Sequence, residues 1–206
     1  RIERGGEGFD NIAGMVGWEN IIMSTLNTPA NKRFEGMTVQ DIAKARGNDP
    51  INCVCDMLIE ENCAITMIDF ITCEEDIARI LNCGFASVIS DSIYPASGRP
   101  HPRLYGTYAR IIQRFVGERR DMTLEAAVKA MTYTPAKALN IADRGLLKEG
   151  LCADVNVFDP AEVKERGSYA DPDKCAAGMD YVFVNGKPAI AAGELTGGAF
   201  GQVIRR

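Results

Sequence analysis

Two short apolar runs separated by a helix-length stretch constrain this chain more than any other feature. AITMIDF (64–70) and FASVIS (85–90) are short, apolar and partly β-branched, which suits strands covered on both faces. Between them Thr72 with Glu75 three residues on makes a capping-box pattern, Ile77, Ile80 and Leu81 supply an apolar face, and Gly84 marks a stop. A strand followed by a helix and a second strand implies a right-handed crossover between parallel neighbours. The expected fold class is therefore α/β, as a β/α barrel or an open doubly wound sheet.

Further elements fit that alternation. WENIIMSTL (18–26) reads as a buried strand, Thr38 with Asp41 opens a helix that Gly47 closes, and Asp49 caps a second helix with Pro50 at its first position. Ile51, Val54, Met57 and Leu58 form that helix's apolar stripe. Helices are expected near 105–119, 124–133 and 136–141, with Met131 and Leu139 in the core. After Asp143 the pattern turns β-rich: a strand at 153–158, a polar surface loop (ERGSYADPDKC), and two apolar runs joined by Asn185-Gly186, a strong type I′ hairpin signal.

Composition narrows the function classes. A chain of 206 residues with 46% hydrophobic side chains can bury a real core. A net charge of −5 argues against nucleic acid, whose affinity rests on Lys and Arg neutralising phosphates, and leaves small molecules or proteins as partners. No apolar run approaches the roughly 20 residues that span a bilayer, and the polar opening 1–11 lacks the apolar segment of a signal peptide. A membrane is thus not expected, and a cytoplasmic location is. The seven cysteines are odd in number and lack CxxC pairs, so reduced thiols are expected rather than disulfides or structural zinc. One histidine, His101, cannot complete a histidine-rich metal centre. A nucleophilic triad built on it lacks the Gly-x-Ser-x-Gly elbow. Lying between two prolines, His101 reads as structural.

Asp91 follows the run 85–90 directly, where the ends of parallel strands gather active-site residues. The residues alone equally allow SDS to be a loop cap bonded to the backbone. The loop IYPASGRPHPRLYG beyond it is long enough to shape a pocket mouth, and Arg103 could hold a substrate carboxylate through its planar fork or simply sit solvated.

SDSIYPASGRPHPRLYGTYARIIQRFV, MTLEAAVKAMTYTPAKALNI, DRGLLKEGLCADVNVFDP and YVFVNGKPAIAAGELT, in that order, resemble the final third of the N-acyl-D-amino-acid deacylases of the amidohydrolase superfamily. The third segment is similar to many amidohydrolases, while SDS followed by RPHPRLYGT favours the deacylase branch. The resemblance implies the C-terminal portion of a (β/α)8 barrel over 1–142 and the C-terminal strands of a composite β-sandwich over 143–206. It implies hydrolysis of the amide bond of an N-acyl-D-amino acid, with zinc in the full-length enzyme. Asp91 matches the aspartate that ends the last barrel strand and serves as general base. Arg103 matches an arginine near the substrate carboxylate.

The family's metal-binding histidines have no counterpart here, so the expectation is that they lie upstream of Arg1 and that this chain alone is inactive and binds no zinc, Asp91 being at most a weak ligand. Bare barrel edges would then favour a homodimer or strand exchange. The competing readings are another amidohydrolase of dihydroorotase or hydantoinase type, and a noncatalytic amidohydrolase-like binding or assembly protein.

Overall fold

A computed structural model of the chain describes residues 5, 8, 10–94 and 97–204. Most of the opening stretch 1–9, and two residues of the loop after Asp91, lie outside that set. The chain divides into two compact units, one of 1–73, 92–104 and 168–173, the other of 74–91, 105–167 and 174–206.

The first unit contains α1 (Ile12–Val16), β1 (Ile21–Thr25), α2 (Val39–Arg46), α3 (Pro50–Glu60) and β2 (Thr66–Asp69). The two larger helices start where local chemistry dictates. The Thr38 hydroxyl accepts the Asp41 N–H at 3.1 Å, and the Asp49 carboxylate accepts those of Ile51 and Asn52 at 3.1 and 3.0 Å. These side chains satisfy donors that the first helical turn leaves without partners. Gly47 ends α2 in the left-handed conformation. The core joins Ile21, Met23 and Leu26 to Val39 and Ile42 of α2 and to Cys53 and Met57 of α3. Fully burying a side chain such as Leu26 or Met57 contributes about 1.5–3 kcal/mol. The expected α3 stripe is thus centred on Met57 with Cys53 beside it, while Val54 packs at the margin.

Strand β2 pairs antiparallel with β1, Ile21 opposite Asp69 and Thr25 opposite Thr66. The parallel partner expected at 85–90 is not a strand. Phe85 and Ile89 are 82% and 64% exposed, and Val88 gives its N–H to the carbonyl of Ala130, a helix residue, at 3.0 Å. An extended run becomes a strand only beside another strand that takes up its backbone groups. Among the described residues none lies alongside it. The architecture is mixed helix and strand.

The second unit contains α4 (Glu74–Leu81), most of α5 (Arg103–Arg110), a π-helical continuation Ile111–Glu118, α6 (Leu124–Met131) and α7 (Tyr133–Ala138). Phe115, Ile111, Met122, Ala127 and Ala130 enclose Ala78 and Val88, and a second cluster joins Ala109 and Ile112 to Val163. Two sequence expectations fail here: Leu139 is 54% exposed, as is most of Ile80, because Ala136 and Ala78 take the inward positions of their helices. Glu74 accepts from three guanidinium groups, Arg114 at 2.7 Å, Arg110 at 3.0 Å and Arg119 at 3.2 Å. Hydrogen bonding from Arg114 holds its carboxyl below the ordinary value.

The same unit ends in an antiparallel meander of β3 (Val155–Val157), β4 (Tyr181–Val184), β5 (Lys187–Ala191) and β6 (Glu194–Leu195), in that spatial order. Asn185 and Gly186 join β4 to β5 with φ of 51° and 76°, the paired positive values of a type I′ turn. The Asn185 side chain also accepts from Arg144 at 2.7 Å and donates to the Phe200 carbonyl at 2.7 Å.

Candidate functional site

A cavity of about 100 Å³ opens in the first unit where β1 ends and β2 begins. Ser24, Thr25, Thr66 and Ile68 form its floor, and Ser92, Pro100, His101 and Arg103 complete the wall. An arginine among the hydroxyl-bearing residues that line a cavity suits a small carboxylate, because the guanidinium fork matches carboxylate geometry.

The wall is held in place by a strip of chain laid along the end of β1. Arg99 gives its N–H to the Ser24 carbonyl at 2.9 Å, and the Ser24 hydroxyl donates to the Arg99 carbonyl in return. Thr25 Oγ1 donates to the Ser97 carbonyl at 3.3 Å. Gly98 sits between these contacts with φ +92°, and a Cβ there would lie 2.9 Å from both the Ser24 carbonyl oxygen and the Thr25 Cα. Only glycine permits so close a backbone approach.

From this strip the chain enters α5. His101 Nδ1 accepts the Arg103 N–H at 3.0 Å and its carbonyl accepts that of Leu104 at 3.0 Å, so the sole histidine caps the helix. Its ring meets Tyr169 edge-on at 5.2 Å, and Tyr169 in turn meets Phe70 at 4.8 Å. The structural reading of His101 agrees with these contacts. Arg103 is half-buried at the first position of α5 and lines the cavity. Asp91 belongs to the second unit, where it is exposed and has φ +44°, a left-handed conformation that aspartate tolerates better than most residues. Ser92, next in the chain, lines the cavity.

One buried acid escaped the sequence reading. Glu61, 3% exposed beyond the end of α3, accepts the N–H of Asn27 at 2.6 Å, the N–H and hydroxyl of Thr28 at 3.1 and 2.5 Å, and the Asn31 side-chain amide at 2.9 Å. Burial pushes its carboxyl up, but the donors from Thr28, Asn27 and Asn31 together outweigh it and bring it to about 2. In the sequence it stands in a polar EEN stretch, which reads as a solvated helix end. Ser24 and Thr25 were also passed over, although two hydroxyl residues closing an apolar strand were a usable signal.

A larger open cavity of about 410 Å³ lies by Arg33, Phe34 and Arg46. The Arg46 guanidinium is committed to Glu60 at 2.8 and 3.0 Å, and it and Arg33 pack on the Phe34 ring at 5.1 and 4.6 Å. That arrangement is complete in itself and includes neither residue singled out from the sequence.

Among the described residues no three His, Cys, Asp or Glu side chains converge as a metal site. The described residues therefore do not by themselves fit a zinc ion. No helix among the described residues is long and apolar enough to cross a membrane.

The pattern of the amidohydrolase family matches residues 27–190. The chain is 36% identical to an N-acyl-D-glutamate deacylase of Alcaligenes xylosoxydans xylosoxydans over 80% of its own length and 32% of that protein. It is 34% identical to a D-aminoacylase of the same organism over 84% and 34%. It spans about a third of the length of these curated relatives. Among solved structures, it superposes with a TM-score of 0.81 and 33% identity on an N-acyl-D-glutamate deacylase from Bordetella bronchiseptica, complexed with zinc and a phosphonate mimic of the tetrahedral intermediate, covering 95% of this chain and 39% of that one. A D-aminoacylase described by its binuclear metal center gives a TM-score of 0.80 at 32% identity, covering 90% and 38%.

Proposed function

This chain belongs to the amidohydrolase family, and from that membership we propose that it is part of a zinc-dependent hydrolase that cleaves the amide bond of N-acyl-D-amino acids. The observation that carries the proposal is the superposition of 95% of the chain, at 33% identity, on a deacylase bound to a mimic of its tetrahedral intermediate. A cyclic-amide hydrolase or a noncatalytic binding protein has no comparable support.

In this reading 1–142 is the C-terminal part of a (β/α)8 barrel and 143–206 the C-terminal part of a small β-sandwich, the latter supported by the β3–β6 meander. Asp91 is the general base. Its carboxylate accepts a proton from the attacking water and returns it to the leaving nitrogen, which departs as the amine. Arg103 holds the substrate's α-carboxylate, a role supported by its place in the wall of the cavity beside β1. A zinc ion in the full-length protein would supply a polarised carbonyl and an activated water, and Asp91 would be at most a weak ligand to it. The cysteines, odd in number and without CxxC pairs, support a reducing, cytoplasmic setting.

The test is turnover by the full-length protein of N-acetyl-D-glutamate and other N-acetyl-D-amino acids, compared with their L-enantiomers and with dihydroorotate and hydantoin. Hydrolysis confined to the D-series is expected. Activity on the cyclic amides alone would overturn the proposal.

A further inference from the structure

Glu61 is the one buried carboxylate among the described residues of the first unit, and its hydrogen-bond partners Asn27, Thr28 and Asn31 are all neutral. An acid is costly to bury, so a site that keeps one filled with donors gains something an apolar residue would not supply. What it gains here is a fixed loop. Asn27 and Thr28 follow β1 after the single residue Leu26, and a carboxylate gripping both of their N–H groups sets the direction in which the chain leaves the strand.

The loop hands that order on. The Asn27 side chain donates to the Ala64 carbonyl at 2.5 Å and accepts from the Ser97 hydroxyl at 3.3 Å. Ser97 begins the strip that lies along Ser24 and Thr25, and the same strip leads through Pro100 and His101 to Arg103. We propose that Glu61, which does not line the cavity, is a positioning residue for Arg103, acting through Asn27 and the strip Ser97–Arg99. The inference rests on the reading of Arg103 as the group that holds the substrate carboxylate.

Two measurements on the full-length protein test it with Glu61→Ala and the milder Glu61→Gln, which keeps one carbonyl acceptor. In Glu61→Ala, KM for an N-acetyl-D-amino acid rises roughly tenfold or more while kcat changes by less than about threefold, since sub-ångström misplacement of a binding group weakens ground-state and transition-state binding alike. Glu61→Gln recovers part of that loss. Independently of activity, amide exchange at Arg99 quickens in Glu61→Ala, with the β4–β5 amides unchanged. Unaltered KM in both variants, or faster exchange at Asn27 and Thr28 that stops short of Arg99, overturns the inference. A wild-type protein without deacylase activity sinks the functional reading instead, and the exchange at Arg99 still decides whether Glu61 orders the strip.

Discussion

Replacing Gly98 by alanine probes the strip that shapes the cavity. Two costs add there. The first is conformational, because φ +92° is unfavourable for any L side chain and a left-handed residue costs about 1–2 kcal/mol. The second is steric: the new Cβ would meet the Ser24 carbonyl oxygen and Thr25 Cα at 2.9 Å, and backbone atoms of a core strand cannot yield as a flexible side-chain tip can. Forcing an extra methyl into such packing costs about 1–3 kcal/mol. Gly47→Ala isolates the first cost, since its φ is +67° and nothing lies within 4 Å of the added atom. The assay is amide hydrogen exchange in the full-length protein, reading Arg99 for Gly98→Ala and Asn48 for Gly47→Ala. Both amides are hydrogen-bonded in the native fold, to the Ser24 and Ala43 carbonyls at 2.9 and 3.0 Å. At 1.36 kcal/mol per factor of ten, the steric difference predicts a loss of protection at Arg99 larger by roughly 5- to 160-fold. Equal losses at the two sites would refute the close packing of Gly98 on β1, and with it the idea that this contact sets the cavity wall.

Asp91→Asn in the full-length protein should lower kcat by roughly a hundredfold to ten-thousandfold, the span attributed to a general base, while stability stays within about 0.5 kcal/mol because the exposed site and its left-handed backbone suit asparagine equally well. Turnover assays beside chemical denaturation check both parts, and an active variant removes Asp91 from the mechanism. Glu61 adds a pH dependence. Its folded value of about 2 lies below the ordinary 4.5, so its contribution to stability is complete above pH 4.5 and is lost as the pH falls from there through about 2. Denaturation midpoints measured between pH 5 and pH 2.5 should fall more steeply for wild type than for Glu61→Gln, and parallel curves would contradict the assignment.

Short-range chemistry was legible in the sequence. Thr38, Asp49 and Pro50 mark the starts of α2 and α3 because a cap bonds to atoms two or three residues away. Asn185-Gly186 declares its turn for the same reason. What the sequence did not reveal depends on distant partners. The run 85–90 has a strand's composition but no strand beside it among the described residues, and the pairing sense of β1 with β2 is set by the path through α2 and α3. The helix expected over 105–119 exists, yet its second half widens into a π-helix that no local motif announces. The proposal of Asp91 and Arg103 as functional residues comes from resemblance, whereas Glu61 becomes visible only when Asn27, Thr28 and Asn31 converge on it from some thirty residues away in the chain.

The β4–β5 turn has a consequence for which substitutions this region can tolerate. Glycine and aspartate both satisfy a type I′ turn at the position of Asn185, so the hairpin taken alone would accept either. Asn185 also uses its carbonyl oxygen for Arg144 and its amide nitrogen for the Phe200 carbonyl, and neither replacement reproduces both bonds. Aspartate keeps the acceptor and loses the donor, whereas glycine loses each. One short side chain thus serves as a junction where the hairpin, the segment at Arg144 and the tail at Phe200 share a common vertex, which makes this turn far less interchangeable than its length suggests.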